Sequence, residues 1–103
     1  MSVIVRMFEA RVLPGMLDEF VEFAVQHGWP AVAHADGFVS GELYRADSET
    51  EPRLVLISRW RDEAALAAFA GPDWRSAPVV LPGAERFLAR PPHVWHFTQV
   101  TIN

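Results

Sequence analysis

The sequence contains no cysteine, which excludes disulfide bridges, thiolate metal sites and a cysteine nucleophile. It has nine basic residues and a formal net charge of -4, so it lacks the basic footprint of a nucleic-acid-binding protein. No apolar run approaches the roughly 18 residues that a membrane span needs. No glycine-rich phosphate loop is present, so a nucleotide cofactor is not expected.

What the sequence does contain is typical of one globular domain. Of its 103 residues, half are apolar and 21% are charged, a balance that favours a packed core over disorder. The charged Arg6 and Glu9 interrupt the N-terminal stretch "MSVIVRMFEA", which therefore does not read as a signal peptide. A reducing, cytoplasmic setting is the expectation.

The first third of the chain predicts a strand followed by a helix. Residues 2–12 are rich in β-branched and aromatic side chains, which favours a strand. Residues 16–34 carry apolar side chains at helical spacing, which predicts a helix. Gly28 and Pro30 interrupt that pattern, so a kink or a break is expected near Trp29.

The remaining two thirds predict three more strands and a second helix. Residues 38–45, 53–60 and 93–102 have the composition of strands, and the polar "DSETEP" forms the hairpin loop between the first two. Asp62 is the expected N-cap of a helix over residues 63–70. Two short helical turns are expected after this helix, one through Trp74 and Arg75 and one over "AERFLA".

The order strand, helix, strand, strand, helix, strand predicts an α+β fold. Two βαβ-like halves give a ferredoxin-like, four-stranded antiparallel sheet with both helices on one face. A single domain over residues 1–103 is expected.

The face of the sheet that the helices leave uncovered is unusually apolar. Along the first strand, one side carries Ile4, Phe8, Ala10 and Val12 and the other Val3, Val5 and Met7. Along the third strand Leu54, Leu56 and Trp60 oppose Val55 and Ile57, and along the fourth Trp95 and Phe97 oppose Val94 and Val100, so both faces are apolar. About eight such side chains at about 1.5–3 kcal/mol each leave on the order of 10–20 kcal/mol of burial unrealised in a monomer. This predicts a homodimer that packs sheet against sheet.

Three segments resemble the antibiotic biosynthesis monooxygenase family of dimeric α+β barrels: "VIVRMFEARVLPG", "HADGFVSGELYR" and "RLVLISRWRDEAALAAFAGPDW". The shared pattern is a strand before Pro-Gly, a long helix, a Gly-Phe strand, and a strand ending in Trp before an alanine-rich helix. The resemblance implies the dimeric barrel fold and a pocket between sheet and helices. It is less informative about the reaction, because the fold serves many chemistries.

The residues at the family's site positions are largely apolar. The family is similar to quinone-forming monooxygenases, which use an Asn, a Trp and a Tyr where this sequence has Leu56, Trp60 and Leu66. It is also similar to haem-degrading enzymes, which use an Asn and a Trp where this sequence has Phe8 and Phe69, and a His where it has Pro78 or Val79. These differences argue against haem degradation. The resemblance therefore implies a hydrophobic pocket for a flat aromatic or polyketide-like ligand.

Oxygen insertion without flavin or metal requires an electron-rich substrate such as a phenol, a proton acceptor and a donor that stabilises negative charge. Trp60 either stacks on a substrate or closes the end of the sheet as a core residue. Arg6 shares a face with Phe8 and either binds a phenolate or carboxylate in the pocket, or pairs with an acidic side chain or snorkels to the edge. His96 is either a general base or a hydrogen-bonded core histidine.

Four further residues are candidates for the site. His34 lies beyond the helix break and either edges the pocket mouth or is a surface histidine, while Trp29 lies at the break itself. Tyr44 either orients a substrate or packs at a strand end, and Trp74 is a candidate for a lid together with Arg75, after a Gly-Pro turn. No clustered spacing of histidines or carboxylates indicates a metal site.

These observations support a cofactor-independent, monooxygenase-like oxidoreductase that acts on a hydrophobic aromatic molecule. Two alternatives remain open. The first is a non-oxidative cyclase or isomerase with His96 or His34 as the base. The second is a small-molecule-binding dimer without catalysis, which the missing polar residues favour.

Overall fold

The computed structural model describes residues 3–102 and confirms the predicted ferredoxin-like α+β arrangement. Four antiparallel strands form one sheet in the order β2-β3-β1-β4. The strands are β1 (Ile4–Arg11), β2 (Phe38–Ala46), β3 (Arg53–Trp60) and β4 (His93–Thr98). Strand β4 ends earlier than predicted, and Val100 is 77% exposed beyond it.

The first helix is irregular next to Trp29, where the sequence predicts a kink or a break, but it is not interrupted there. Helix α1 (Leu17–Phe23) passes through a π-helical turn (Ala24–Gly28) directly into α2 (Trp29–Ala33). The backbone N–H of Trp29 donates to the carbonyl of Ala24, five residues earlier. The wider turn keeps the helix continuous up to Pro30, which has no N–H to donate.

The second helix, α3 (Glu63–Ala70), has the predicted bounds and N-cap. The Asp62 carboxylate accepts a 2.8 Å hydrogen bond from the Ala65 N–H. The helix ends at Gly71, whose φ of 93° suits glycine. Residues 74–76 form turns rather than the expected short helix, and "AERFLA" supplies a 3₁₀ turn over Ala84–Phe87.

The helices cover one face of the sheet, and the core lies between them. Even-numbered side chains of β1 and β3 point inward, with Ala10, Leu54 and Trp60 almost fully buried. Trp60 lies against α3, where its ring stacks on Phe69 with centroids 4.9 Å apart. It also meets the edge of Phe38 at 6.0 Å. This packing places an indole at the joint between strand and helix.

The opposite face of the sheet is uncovered within the described residues and carries the predicted apolar side chains, together with the ion pairs Arg53–Glu9 and Arg59–Glu42. Phe97 is 51% exposed and Trp95 40% exposed on this outer face. Tyr44 lies on the same outer face, paired in register with Val55. A single chain therefore leaves a broad apolar surface in contact with water.

Candidate functional site

A cavity lies between the inner face of the sheet and the helices. It leaves about 90 Å³ open to the centres of water molecules, which is room for several of them or for part of an organic ligand. All its described lining side chains are apolar except Arg6 and Ser58. The lining residues used below are Phe8, Phe20, Phe23, Trp29, Leu56 and Phe69.

The π-helical turn shapes the cavity wall. It places the small residues Ala24 and Gly28 against the open space, while the ring of Trp29 borders it. Trp29 is held by an edge-to-face contact with Phe38 at 5.8 Å. Because the wall is built from small residues beside aromatic rings, the cavity has the apolar, aromatic-lined character that suits an aromatic ligand.

Arg6 is the only charged side chain among the described residues that line the cavity, and it is 3% exposed. Its Nη1 donates to the Trp74 carbonyl at 2.7 Å, and its Nη2 donates to the Ala77 carbonyl at 3.1 Å. Within residues 3–102, no carboxylate forms a salt bridge with it. Burial lowers the pKa of Arg6 to about 10, so it stays protonated at neutral pH.

His96 is the neighbour of Arg6 on β4. The two are paired in register, and Arg6 Nη1 lies 3.0 Å from His96 Nε2. The His96 ring meets the edge of the Trp74 indole at 4.8 Å. Burial lowers the pKa of His96, and the charges of Arg6 and Arg75 lower it further. His96 is therefore neutral at physiological pH.

Ser58 is the neighbour of Arg6 on the other side, on β3. It is 2% exposed, lines the cavity, and its Oγ accepts a 2.9 Å hydrogen bond from the Trp60 indole N–H. That bond uses the oxygen as an acceptor, so the hydroxyl hydrogen of Ser58 is available to a further partner. Ser58, Arg6 and His96 thus form a polar row across three adjacent strands.

The structure brings five of the predicted site residues together around the cavity: Arg6, Phe8, Trp29, Leu56 and Phe69. The other six do not line it. Trp60 and Leu66 are fully buried in the core beside it. Trp74 and His96 lie on the far side of Arg6, and Trp74 is buried rather than placed as a lid. His34 and Tyr44 are exposed, and Tyr44 is on the outer face of the sheet.

Sequence reasoning missed several wall residues. Phe20 and Phe23 come from α1, and residues 79–81 from the segment after α3. The apolar "PVVLPG", bounded by prolines, was a signal that this segment packs on something. Ser58 was also missed, although it is the one small polar side chain among the inward positions of β3.

Among residues 3–102, no three histidine, aspartate or glutamate side chains form a group that could hold a metal ion. No helix in that range has the length and apolar character to cross a membrane.

The fold and this cavity define a ferredoxin-like α+β domain with an internal, largely apolar site. Residues 3–77 match the sequence profile of the antibiotic biosynthesis monooxygenase family. The chain belongs to that family. No curated protein matches the sequence.

Solved structures share the fold over nearly the whole chain. Rv0793 from Mycobacterium tuberculosis is 21% identical, with a TM-score of 0.69 and 98% of each chain covered. The monooxygenase from the gene ActVA-Orf6 of Streptomyces coelicolor, in complex with the ligand nanaomycin D, is 21% identical. Its TM-score is 0.67, with 99% of this chain and 91% of that chain covered. A conserved protein from Methanosarcina mazei Go1 is 18% identical, with a TM-score of 0.70 and coverage of 94% and 92%.

Proposed function

We propose that the protein is a cofactor-independent, monooxygenase-like oxidoreductase that oxidises a hydrophobic aromatic or polyketide-type molecule in this cavity. The observation that carries the proposal is the cavity itself, with aromatic walls and one buried cation at its end. Family membership and the ligand-bound relative from Streptomyces coelicolor support it.

The chemistry needs a phenolic substrate and dioxygen. The phenolate transfers one electron to dioxygen, and the resulting radicals combine to form a peroxide at a ring carbon. That carbon then loses its proton while the O–O bond breaks, which leaves a carbonyl and releases the second oxygen as hydroxide, and the proton that the phenol gave up converts this hydroxide to water. The apolar walls exclude bulk water, and Arg6 stabilises the negative charge of the oxygen.

The proposed assembly is a homodimer closed over the outer face. Trp95 and Phe97 on β4, Tyr44 on β2 and Val55 and Ile57 on β3 all lie on this face. A second copy packed on it would remove these side chains from water.

Oxygen uptake tests the proposed monooxygenase function. With 1-naphthol or anthrone, we expect uptake that a chelator does not change, and a product that retains one atom of isotope-labelled dioxygen. Ala24→Trp fills the cavity and is expected to abolish uptake, whereas Ala68→Trp on the exposed side of α3 is the matched control. Absence of uptake with both substrates would contradict the proposal.

A second candidate is a binding protein without catalysis. The described residues that line the cavity include no histidine, tyrosine or carboxylate that can serve as a general base. The isomerase alternative is less favoured, because it depends on His96 or His34, and neither lines the cavity. A ligand-induced thermal shift without any product would favour the binding protein, whereas turnover under nitrogen would favour the isomerase.

A further inference from the structure

Two polar side chains that line the cavity both have hydrogen-bond donors to offer a ligand. Arg6 and Ser58 are the polar side chains among its described lining residues, and they face each other in the register of β1 and β3. A guanidinium has donors only. The Ser58 oxygen already accepts from Trp60, so its hydroxyl hydrogen remains to be donated.

The charge of Arg6 has no compensation within the described chain. Its partners are the carbonyls of Trp74 and Ala77 and the His96 ring, all of them neutral groups. Hydrogen bonds to neutral groups satisfy some donors, but a buried cation without a counter-ion remains costly. A purely structural link between β1 and residues 74–77 does not require such a charge.

Arg6 also has donor capacity left over. Its Nε and one hydrogen of Nη2 have no hydrogen-bond partner among the described residues. No enclosed side-chain nitrogen or oxygen in residues 3–102 lacks a partner. The spare Nε is therefore not fully enclosed by protein, and Arg6 is one of the residues that line the cavity.

We infer that this row is an oxyanion site, and that the cavity selects aromatic ligands carrying a negative charge on oxygen, as a phenolate or a carboxylate does. The guanidinium supplies the counter-charge and the Ser58 hydroxyl a second hydrogen bond. The aromatic walls hold the ring system. The inference rests on the proposed function for the aromatic character of the ligand and deepens it by assigning the ligand's charge.

Matched ligands that differ only in charge test the inference. Naphthalene-2-carboxylate and naphthalene-2-carboxamide have nearly the same size and shape, and binding can be followed by calorimetry. We expect the native protein to bind the carboxylate at least about tenfold more tightly, since a charge-assisted hydrogen bond is about twice as strong as a neutral one. Equal affinities, or a preference for the carboxamide, would overturn the inference.

Variants of Arg6 and Ser58 then test whether these two residues cause the preference for the carboxylate. Arg6→Met is expected to abolish the preference while carboxamide binding persists, which also shows that the variant is folded. Arg6→Lys is expected to retain part of it, and Ser58→Ala to reduce it several-fold. Arg53→Met removes an exposed cation; it is the control, and it is expected to retain the preference for the carboxylate. Unchanged discrimination in Arg6→Met would overturn the assignment.

A measurement on the native protein is independent of any variant. Bound 2-naphthol is expected to show the absorption of its anion at a pH where the free compound is neutral. A bound spectrum of the neutral form would contradict a phenolate site, and a preference limited to the carboxylate would assign the site to carboxylic acids.

The two proposals fail in different ways. If the protein prefers the carboxylate but consumes no oxygen, the oxyanion site is supported and the proposed monooxygenase function is contradicted. Oxygen uptake without discrimination between the carboxylate and the carboxamide would support the monooxygenase function and contradict the oxyanion site. If the protein binds neither the carboxylate nor the carboxamide at any ligand concentration tested, both proposals are contradicted.

Discussion

Arg6 Nη1 and His96 Nε2 lie 3.0 Å apart on neighbouring strands. The guanidinium has only hydrogens to offer, so Nε2 must be the acceptor and the neutral ring must carry its proton on Nδ1. Protonated His96 would place a second cation against Arg6. This contact makes the fold sensitive to acid at one identifiable residue.

The pH dependence of stability follows from this pair. Burial, Arg6 and Arg75 lower the pKa of His96 in the folded state from its ordinary 6.5. The unfolded chain therefore binds the proton more strongly, so the contribution of His96 is full above pH 6.5 and is lost as the pH falls towards the folded-state pKa.

His96→Gln tests this dependence, because the glutamine amide oxygen can still accept from Arg6. Between about pH 7.5 and about pH 5, the urea midpoint of the native protein is expected to fall more than that of His96→Gln. His93→Gln, at an exposed position of the same strand, is the control. Its urea midpoint is expected to fall by as much as that of the native protein. Parallel profiles for native protein and His96→Gln would contradict the prediction.

Ser58→Ala is expected to destabilise the fold. The Trp60 indole N–H is fully buried and its partner is the Ser58 hydroxyl, so the substitution leaves a buried donor unpaired at a cost of about 1–3 kcal/mol. Urea unfolding measures it, with the exposed Ser76→Ala as control. In a double-mutant cycle, adding Trp60→Phe is expected to cost less in the Ser58→Ala background than in the native protein. Strict additivity would show that the bond contributes nothing.

Phe97→Asp tests the outer face of the sheet. The native protein is expected to elute with twice the mass of the chain in light scattering at micromolar concentration. An aspartate at this position is expected to give a monomer, because removing its carboxylate from water at the contact is costly. Val25→Asp is a matched control on a helix, with the same 51% exposure. A native protein that is monomeric would contradict the proposed dimer.

Gly28→Ala is expected to stabilise the protein by about 0.5–1 kcal/mol, because alanine loses less backbone freedom in a helical conformation. Gly28 has a φ of -74°, and the nearest atom to an added Cβ is Leu81 Cδ1 at 4.0 Å. Gly71→Ala provides the opposite case, since its φ of 93° strains any side chain. Thermal unfolding of the two variants should shift in opposite directions; a shared direction would contradict this account.

The sequence by itself determined the element order and several bounds. The strand Arg53–Trp60 and the helix Glu63–Ala70 were predicted to the residue, because a period of two, an N-cap at Asp62 and a glycine at position 71 are local signals. Alternation along the strands likewise showed that both faces of the sheet are apolar. Such features depend only on neighbours within a few positions of the chain.

Only the tertiary structure decided which of these residues meet. The strand register sets Arg6 between Ser58 and His96, and this pairing joins residues far apart in the chain. The π-helical turn before Pro30 places Ala24 and Gly28 at the cavity wall. Sequence patterns indicate which side chains avoid water, but the packing of helices on the sheet selects their partners, since burial is non-directional and hydrogen bonds require particular geometry.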